Sequence, residues 1–147
     1  MPVTGFFHAG VTVRDMDVSL RFYRDALGLE QRFDVELDAD YLRTVLALQF
    51  ESIRAVLLDI PGGGCIELLE YRGIERMPAA ARPSDYGGGH LCLYVEDIQV
   101  ITDALLAAGG RSRPDGVVRI TSGPNLGATS IYIHDPDGYA VELFERP

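Results

Sequence analysis

Two histidines and two glutamates recur at matching places in the two halves of this chain. His8 and His90 each open an alternating apolar segment, while Glu67 and Glu142 each lie between two aliphatic residues near the end of a half. A carboxylate among aliphatic neighbours is costly to bury unless it is paired or binds a metal. Two imidazoles and two carboxylates suit one divalent ion such as Ni, Co, Zn, Mn or Fe. We therefore predict that these four side chains hold one divalent metal ion.

An internal repeat explains why the two pairs match. When His8 is aligned with His90, the Val-x-Asp-apolar turn that follows each histidine also aligns. Towards the ends of the halves, Pro61 aligns with Pro136, and each proline starts a Pro-x-Gly sequence. An apolar-Glu-Leu triplet follows both prolines at the same spacing. Because Pro-x-Gly favours a tight turn, each half is predicted to end in a hairpin.

The repeat also predicts the secondary structure. Helices are expected at residues 17–27 and 98–108, with Asp17 and Asp97 as N-caps and with Gly28 and Gly109 just past the C-terminal ends. The remaining strand-like runs are residues 41–49, 53–59, 116–121 and 129–134. Each half is therefore a βαβββ module of an α+β fold. The modules cover about residues 5–72 and 88–146 of one domain, 1–147, with a linker rich in Pro, Ala and Gly at about 73–87.

Strand alternation places further side chains beside the proposed ligands. Phe6 shares a face with His8, whereas Cys92 and Tyr94 share a face with His90, and Phe144 shares one with Glu142. The aliphatic opposite faces are expected to carry the helices, so that the polar faces line a cavity. The predicted substrate pocket consists of Phe6, Cys92, Tyr94, Tyr132 and Phe144.

Composition and charge exclude several functions. The net charge is −9 at pH 7, which repels nucleic acid and anionic membranes. All thirteen basic residues are arginines, so a Schiff-base lysine and the lysine of a phosphate-binding loop are both absent. No apolar run reaches the roughly 18 residues that a membrane helix needs, and the N-terminus lacks the features of a signal peptide. We therefore expect a cytoplasmic protein whose two cysteines, Cys65 and Cys92, are unpaired.

These motifs together resemble the vicinal oxygen chelate superfamily, in particular glyoxalase I and its relatives. The resemblance rests on residues 8–15, on the run RFYRDALGL at 21–29, on Gly89-His90 and on DPDGYAVE at 135–142. It implies two paired βαβββ modules that form a U-shaped mixed sheet around the metal in a homodimer. It also implies a small-molecule substrate that chelates the metal through vicinal oxygens.

The activity that the resemblance implies is that of a glyoxalase-I-like isomerase or lyase. Such an enzyme transfers a proton at the carbon next to a carbonyl through a metal-stabilised enediolate or enolate. Either ligand glutamate could leave the metal and act as the base. We expect Glu142 to take this role, with Glu67 as the alternative, because the Asp-Pro-Asp-Gly turn directly before its strand should position the backbone of Glu142.

Related members of the superfamily remain alternatives. In glyoxalase I, glutathione anchors include an arginine and an asparagine at the positions held here by Thr12 and Tyr71. Methylmalonyl-CoA epimerase resembles the chain around Glu67 but usually has glutamine there. An extradiol dioxygenase would bind Fe(II) through His8, His90 and Glu142, and its signature includes a tyrosine at position 132, but an acid–base histidine is missing. A metal-free drug-binding relative would not need all four ligands.

Overall fold

The computed structural model describes residues 2–79, 81–112 and 116–147. The chain divides into two compact units, Met1–Met77 and Pro78–Pro147. The predicted linker at 73–87 spans the boundary between these units, and its residue 80 lies outside the described residues. No helix in the described part of the chain is long and apolar enough to cross a membrane.

The first unit is a four-stranded sheet with a helical segment after its first strand. Its strands are β1 (His8–Thr12), β2 (Glu30–Leu37), β3 (Ser52–Asp59) and β4 (Cys65–Arg72), in the order β1-β4-β3-β2. Strands β1 and β4 are parallel, and the other neighbours are antiparallel. Helix α1 (Met16–Leu20) continues into a π-helical turn (Arg21–Ala26), and a short helix α2 (Asp40–Leu46) precedes β3.

The second unit repeats this arrangement. It contains β5 (His90–Tyr94), α3 (Ile98–Ala107), β6 (Arg111–Ser112), β7 (Val118–Arg119), β8 (Thr129–His134) and β9 (Ala140–Glu145). The strand order is β5-β9-β8-β6, and β7 also pairs with β8. As in the first unit, the first and last strands are parallel neighbours, and the last two form an antiparallel hairpin. The predicted α+β fold with two βαβββ modules is confirmed.

The two hairpin turns have the same backbone hydrogen bond, as the repeat predicts. The amide of Gly63 donates to the carbonyl of Ile60 at 3.1 Å, and the amide of Gly138 donates to the carbonyl of Asp135 at 3.0 Å. Both glycines have positive φ, of 121° and 102°, which favours a residue without a side chain. The turns therefore place Glu67 and Glu142 at equal distances into the following strands.

The prediction of a strand at residues 41–49 is wrong, because α2 occupies most of this segment and the missing strand is β2. The guanidinium of Arg43 donates to the carbonyls of Asp38, Phe50 and Glu51 at 2.7, 3.0 and 2.8 Å. These bonds join the two ends of the segment and stabilise a compact helical turn. A short apolar run does not by itself distinguish helix from strand. In the second unit, only Val118 and Arg119 of the strand expected at 116–121 form a strand, β7. Strand β6 is an element that the sequence does not predict.

The predicted N-cap residue is wrong for α1 and correct for α3. Asp15, not Asp17, is the N-cap of α1, and its side chain accepts from the amide of Val18 at 3.0 Å. Asp97 does occupy the N-cap position of α3, but its side chain makes no capping bond there. A glutamate of the last strand of each unit also binds the first amide of the helix. Glu70 accepts from the amide of Met16 at 2.6 Å, and Glu145 accepts from that of Ile98 at 3.2 Å.

Candidate active site

The first histidine and the first glutamate face each other across neighbouring strands. Because β1 and β4 are parallel and Gly10 pairs with Glu67, the side chains of His8 and Glu67 lie on one face of the sheet. The Nε2 atom of His8 lies 3.2 Å from Oε2 of Glu67, and both side chains are partly buried. The other ring nitrogen, Nδ1, is buried without a hydrogen-bond partner. The nitrogen next to the carboxylate is therefore the one that a ligand could reach.

The second unit contains the same pair in the same register. Strands β5 and β9 are parallel, and Cys92 pairs with Glu142 as Gly10 pairs with Glu67. The Nε2 atom of His90 lies 3.2 Å from Oε2 of Glu142. The side chain of Glu142 is 17% exposed and that of His90 is 42% exposed. The repeat therefore reproduces the His–Glu contact as well as the fold.

The chemistry and spacing of each pair fit two ligands of one divalent ion. Ligand atoms about 2.1 Å from a metal and at right angles to one another are about 3 Å apart. The separation of 3.2 Å in both pairs matches this value. Within the described residues there is no group of three or more His, Cys, Asp or Glu side chains that could hold a metal ion. Each pair by itself therefore supplies only half of a four-ligand set.

The two pairs differ in their neighbours. The hydroxyl of Ser130 donates to Oε1 of Glu142 at 2.8 Å, and the hydroxyl of Tyr132 lies 3.2 Å from Nε2 of His90. Both hydroxyls come from β8, where Tyr132 pairs directly with Glu142. In the first unit, the repeat-equivalent positions are Ala55 and Leu57, and both are buried. The second pair is therefore hydrogen-bonded by hydroxyls, and the first lies against aliphatic side chains.

Weak acids beside the glutamates remain protonated at neutral pH. Burial, with the nearby charge of Glu142 and a hydrogen bond to it, raises the pKa of the Cys92 thiol to about 11. Burial and then contacts with Glu142 raise the pKa of the Tyr132 hydroxyl as well. In the first unit, burial and the charge of Glu67 raise the pKa of Tyr71. The raised pKa values favour the protonated forms, in which these groups can donate hydrogen bonds.

A cavity of about 190 Å³ lies beside His90 within the second unit. Its wall includes the backbone of Gly87, Gly88 and Gly89 together with the side chains of Tyr132 and Tyr139. The glycines belong to the segment before β5, and both tyrosines come from the β8–β9 hairpin region. This open space lies next to one of the two histidines of the candidate site.

Comparisons with known proteins identify the family of the chain. Residues 5–143 match the model of the Glyoxalase/Bleomycin resistance protein/Dioxygenase superfamily. The chain belongs to this family. Three relatives with enzyme names are a 2-epi-5-epi-valiolone epimerase from Actinomyces, a lactoylglutathione lyase from Haemophilus influenzae and a probable lactoylglutathione lyase from Synechocystis. The epimerase is 29% identical, with 95% of this chain and 78% of the relative aligned. The Haemophilus lyase is 29% identical, with coverages of 95% and 90%. The Synechocystis protein is 33% identical, with coverages of 94% and 92%.

Solved structures support the same fold. A glyoxalase family protein from Bacillus cereus superimposes with a TM-score of 0.82 at 19% identity, covering 99% of this chain and 96% of its own. A trypanothione-dependent glyoxalase I from Leishmania major gives 0.63 at 20% identity, with coverages of 97% and 87%. At these identities the likeness concerns the fold.

Among the predicted pocket residues, Tyr132 lines the cavity beside His90. Tyr94 and Phe144 lie farther along the same strand faces, with ring centroids 5.8 Å apart, and Cys92 lies between His90 and Tyr94. Phe6 is 67% exposed. Its ring packs over Gly64, where an added Cβ would lie 2.7 Å from the Phe6 ring.

Sequence reasoning missed Ser130, the residue whose hydroxyl binds Glu142. A serine in a strand carries no signal of its own, but the alignment of Pro61 with Pro136 also aligns Ser130 with Ala55. Comparing the two repeats position by position would therefore have identified it as a polar substitution next to a proposed ligand.

Proposed function

We propose that the protein is a divalent-metal-dependent enzyme that transfers a proton at a carbon next to a carbonyl, as an isomerase or lyase of the glyoxalase I type. The observation that carries the proposal is the recurrence of one His–Glu pair, with the same register and the same 3.2 Å contact, in both repeats. Together the two pairs supply two imidazoles and two carboxylates at repeat-equivalent positions, which is a donor set that suits one divalent ion.

The proposed ligands are His8, Glu67, His90 and Glu142. The two pairs come from one chain or from two copies in a homodimer, and the donor set suits Ni, Co, Zn, Mn or Fe. A bound divalent ion would polarise the substrate carbonyl and stabilise negative charge on its oxygen. We further propose a single domain over residues 1–147, which acts in the cytoplasm on a small molecule with vicinal oxygens.

Proton transfer is assigned to a ligand glutamate. The hydrogen bonds of the two carboxylates favour Glu67 over Glu142 as the base. Oε1 of Glu142 is held by Ser130, and Oε2 lies against His90. Within the described residues no hydroxyl is bonded to Glu67, so its carboxylate has fewer contacts to break when it moves. We therefore revise the sequence-based preference for Glu142. Glu67 removes the proton from the carbon next to the carbonyl and, in an isomerisation, returns it to the adjacent carbon.

An epimerase is the second candidate, and both reactions share the first proton transfer. Thr12 and Tyr71 are neutral at the positions where glyoxalase I has two glutathione anchors, which reduces the case for a glutathione-linked substrate. Among the relatives, the epimerase from Actinomyces matches 95% of the chain. Epimerisation requires a proton donor on the opposite face of the carbon, and the protonated Tyr132 hydroxyl could supply it.

Metal binding and proton exchange test the proposal together. Protein stripped by a chelator and reloaded with Ni, Co, Zn, Mn or Fe is expected to hold about one ion per chain. His8→Ala and His90→Ala should lower metal affinity, whereas His134→Ala, which removes the third histidine, should not. Under argon and in heavy water, the loaded enzyme should exchange a substrate C–H for deuterium.

Two results would contradict the proposed function. One is less than about a tenth of an equivalent of metal after reloading with all five ions. The other is full metal retention by both His8→Ala and His90→Ala. Oxygen uptake with a catechol would instead identify a dioxygenase, and saturable binding without turnover would identify a binding protein.

A further inference from the structure

The two repeats differ directly before their histidines. Phe6 and Phe7 precede His8, and Gly88 and Gly89 hold the equivalent positions before His90. The ring of Phe7 packs edge-on against the His8 imidazole, with centroids 4.6 Å apart. At Gly89 an added Cβ would meet no heavy atom within 4 Å, and its φ does not require glycine. Space that an aromatic ring fills beside the first histidine is therefore open beside the second.

Gly89 also lines the cavity of about 190 Å³ next to His90. Sites for drug-sized ligands typically measure about 300–1,000 Å³. The cavity beside His90 is smaller, so it can enclose one compact group but not a tripeptide conjugate or a coenzyme. Because the cavity adjoins a proposed metal ligand, a group bound there would be held near the reacting carbonyl.

The cavity wall combines apolar residues with a few polar groups, and it offers little net charge to an anion. Arg82 is the one arginine among the described lining residues, and its guanidinium donates to Asp85 at 2.7 and 3.1 Å. The negative charge of Asp85 offsets the positive charge of Arg82 in this ion pair. Tyr132 also lines the cavity, and its phenol hydroxyl can donate a hydrogen bond to an oxygen atom. The wall therefore suits hydroxyl or carbonyl oxygens better than carboxylate or phosphate.

We propose that this cavity is a substrate subsite that binds a compact, uncharged, oxygen-bearing group, such as the ring of a polyhydroxylated cyclic ketone. This inference rests on the proposed function and narrows its substrate class. Tyr132 donates a hydrogen bond to an oxygen of that group, and Gly89 supplies the space. The subsite excludes substrates whose recognition depends on a charged carrier.

Replacing Gly89 tests the subsite without removing a proposed ligand. Gly89→Phe introduces the side chain that the first repeat has at this place, and Gly89→Ala is a smaller change for the case in which the phenylalanine variant does not fold. Gly5→Phe is the matched control, because an added Cβ at Gly5 also meets no atom within 4 Å and Gly5 lies before β1. Tyr132→Phe removes only the hydroxyl.

Two probes are measured with metal-loaded protein: an inosose, which is a polyhydroxylated cyclohexanone, and the hemithioacetal of methylglyoxal and glutathione. Calorimetry gives the dissociation constant for each, deuterium exchange gives KM and kcat, and elemental analysis gives the metal content. We expect the inosose to bind and exchange. Gly89→Phe should raise its dissociation constant and KM at least about tenfold, with smaller effects for Gly89→Ala and Tyr132→Phe. Gly5→Phe should have no effect, and the metal content should stay the same in all variants.

The outcomes separate the subsite from the proposed function. An inosose that neither binds nor exchanges, or that binds equally well to Gly89→Phe and wild type, overturns the subsite. If the hemithioacetal is then turned over at one metal per chain, the proposed function still stands. If the wild type holds no metal and exchanges neither probe, the proposed function fails. Inosose binding to that protein, weakened by Gly89→Phe, would still support a subsite for this class of ligand.

Discussion

Exchanging the residues beside the two glutamates should show which one moves during the reaction. Ser130→Ala removes the hydroxyl that binds Glu142, and Ala55→Ser places a hydroxyl at the equivalent position next to the strand of Glu67. The two changes are reciprocal and involve one oxygen atom each. They alter the contacts of the carboxylates without removing a proposed ligand.

The expected magnitude follows from the hydrogen bond. A hydrogen bond to a charged group contributes about 1.5–3 kcal/mol, and each step of about 1.4 kcal/mol changes a rate or an equilibrium tenfold. With Glu67 as the base, Ala55→Ser should slow metal-saturated exchange about tenfold because the new bond must break before Glu67 moves. Ser130→Ala should leave the saturated rate within about threefold of wild type and weaken metal binding, because Glu142 loses its orientation.

Glutamine variants provide the second arm of the assay. Metal-saturated Glu67→Gln should be slower by a factor of about 10² to 10⁴, because its amide can still coordinate the metal but cannot accept a proton. Glu142→Gln should mainly show weaker metal binding. Deuterium exchange at saturating metal measures the rate, and competition with a chelating dye measures the affinity. The reverse result, a slow Glu142→Gln and a near-wild-type Glu67→Gln, would make Glu142 the base. Near-wild-type rates for both would exclude either glutamate as the base.

Two further predictions concern stability. Glu70→Ala should lower the free energy of unfolding by about 1–2 kcal/mol, because the buried Met16 amide loses its acceptor, and urea titration should show no such loss for the exposed Glu30→Ala. Arg54 holds the pKa of Asp34 below its usual value. The pair therefore stabilises the fold fully above about pH 4, and this stabilisation is lost as the pH falls through the lowered pKa. Asp34→Asn should therefore cost up to about 1 kcal/mol at pH 7 and less in acid; a constant difference across that range would refute the assignment.

The sequence predicts most of the fold and the two histidines and two glutamates of the candidate site because the relevant signals are duplicated. A lone strand histidine or glutamate carries little information, but Glu67 and Glu142 each follow a proline at the same spacing in the two halves. The glycines after the helices, Gly28 and Gly109, have the expected positive φ of 69° and 95°. The four-ligand centre itself stays a prediction, because the structure establishes each pair separately.

The features that sequence analysis missed depend on long-range contacts or on weak local signals. Glu70 caps α1 from a strand far along the chain, and no local capping motif identifies it. In β2 the segment from Arg32 to Leu37 alternates charged and apolar residues, but apolar composition alone favours a strand at 41–49. There the bonds of Arg43 to three backbone carbonyls outweigh the apolar composition, and they can be recognised only once the chain has folded.

The proposed metal ligands occur in both halves of the repeat, whereas the features proposed to bind substrate occur only in the second. The backbone register fixes the histidine and glutamate alike in both halves, so neither ligand can change without loss of the proposed metal site. The neighbouring positions are under no such constraint. A serine at 130 where the first repeat has Ala55, and a glycine at 89 where it has Phe7, leave both strands intact. Because the hydroxyls and the cavity both occur in the second unit, substrate recognition is expected to depend on β5, β8 and β9, while the proposed base, Glu67, belongs to the first unit.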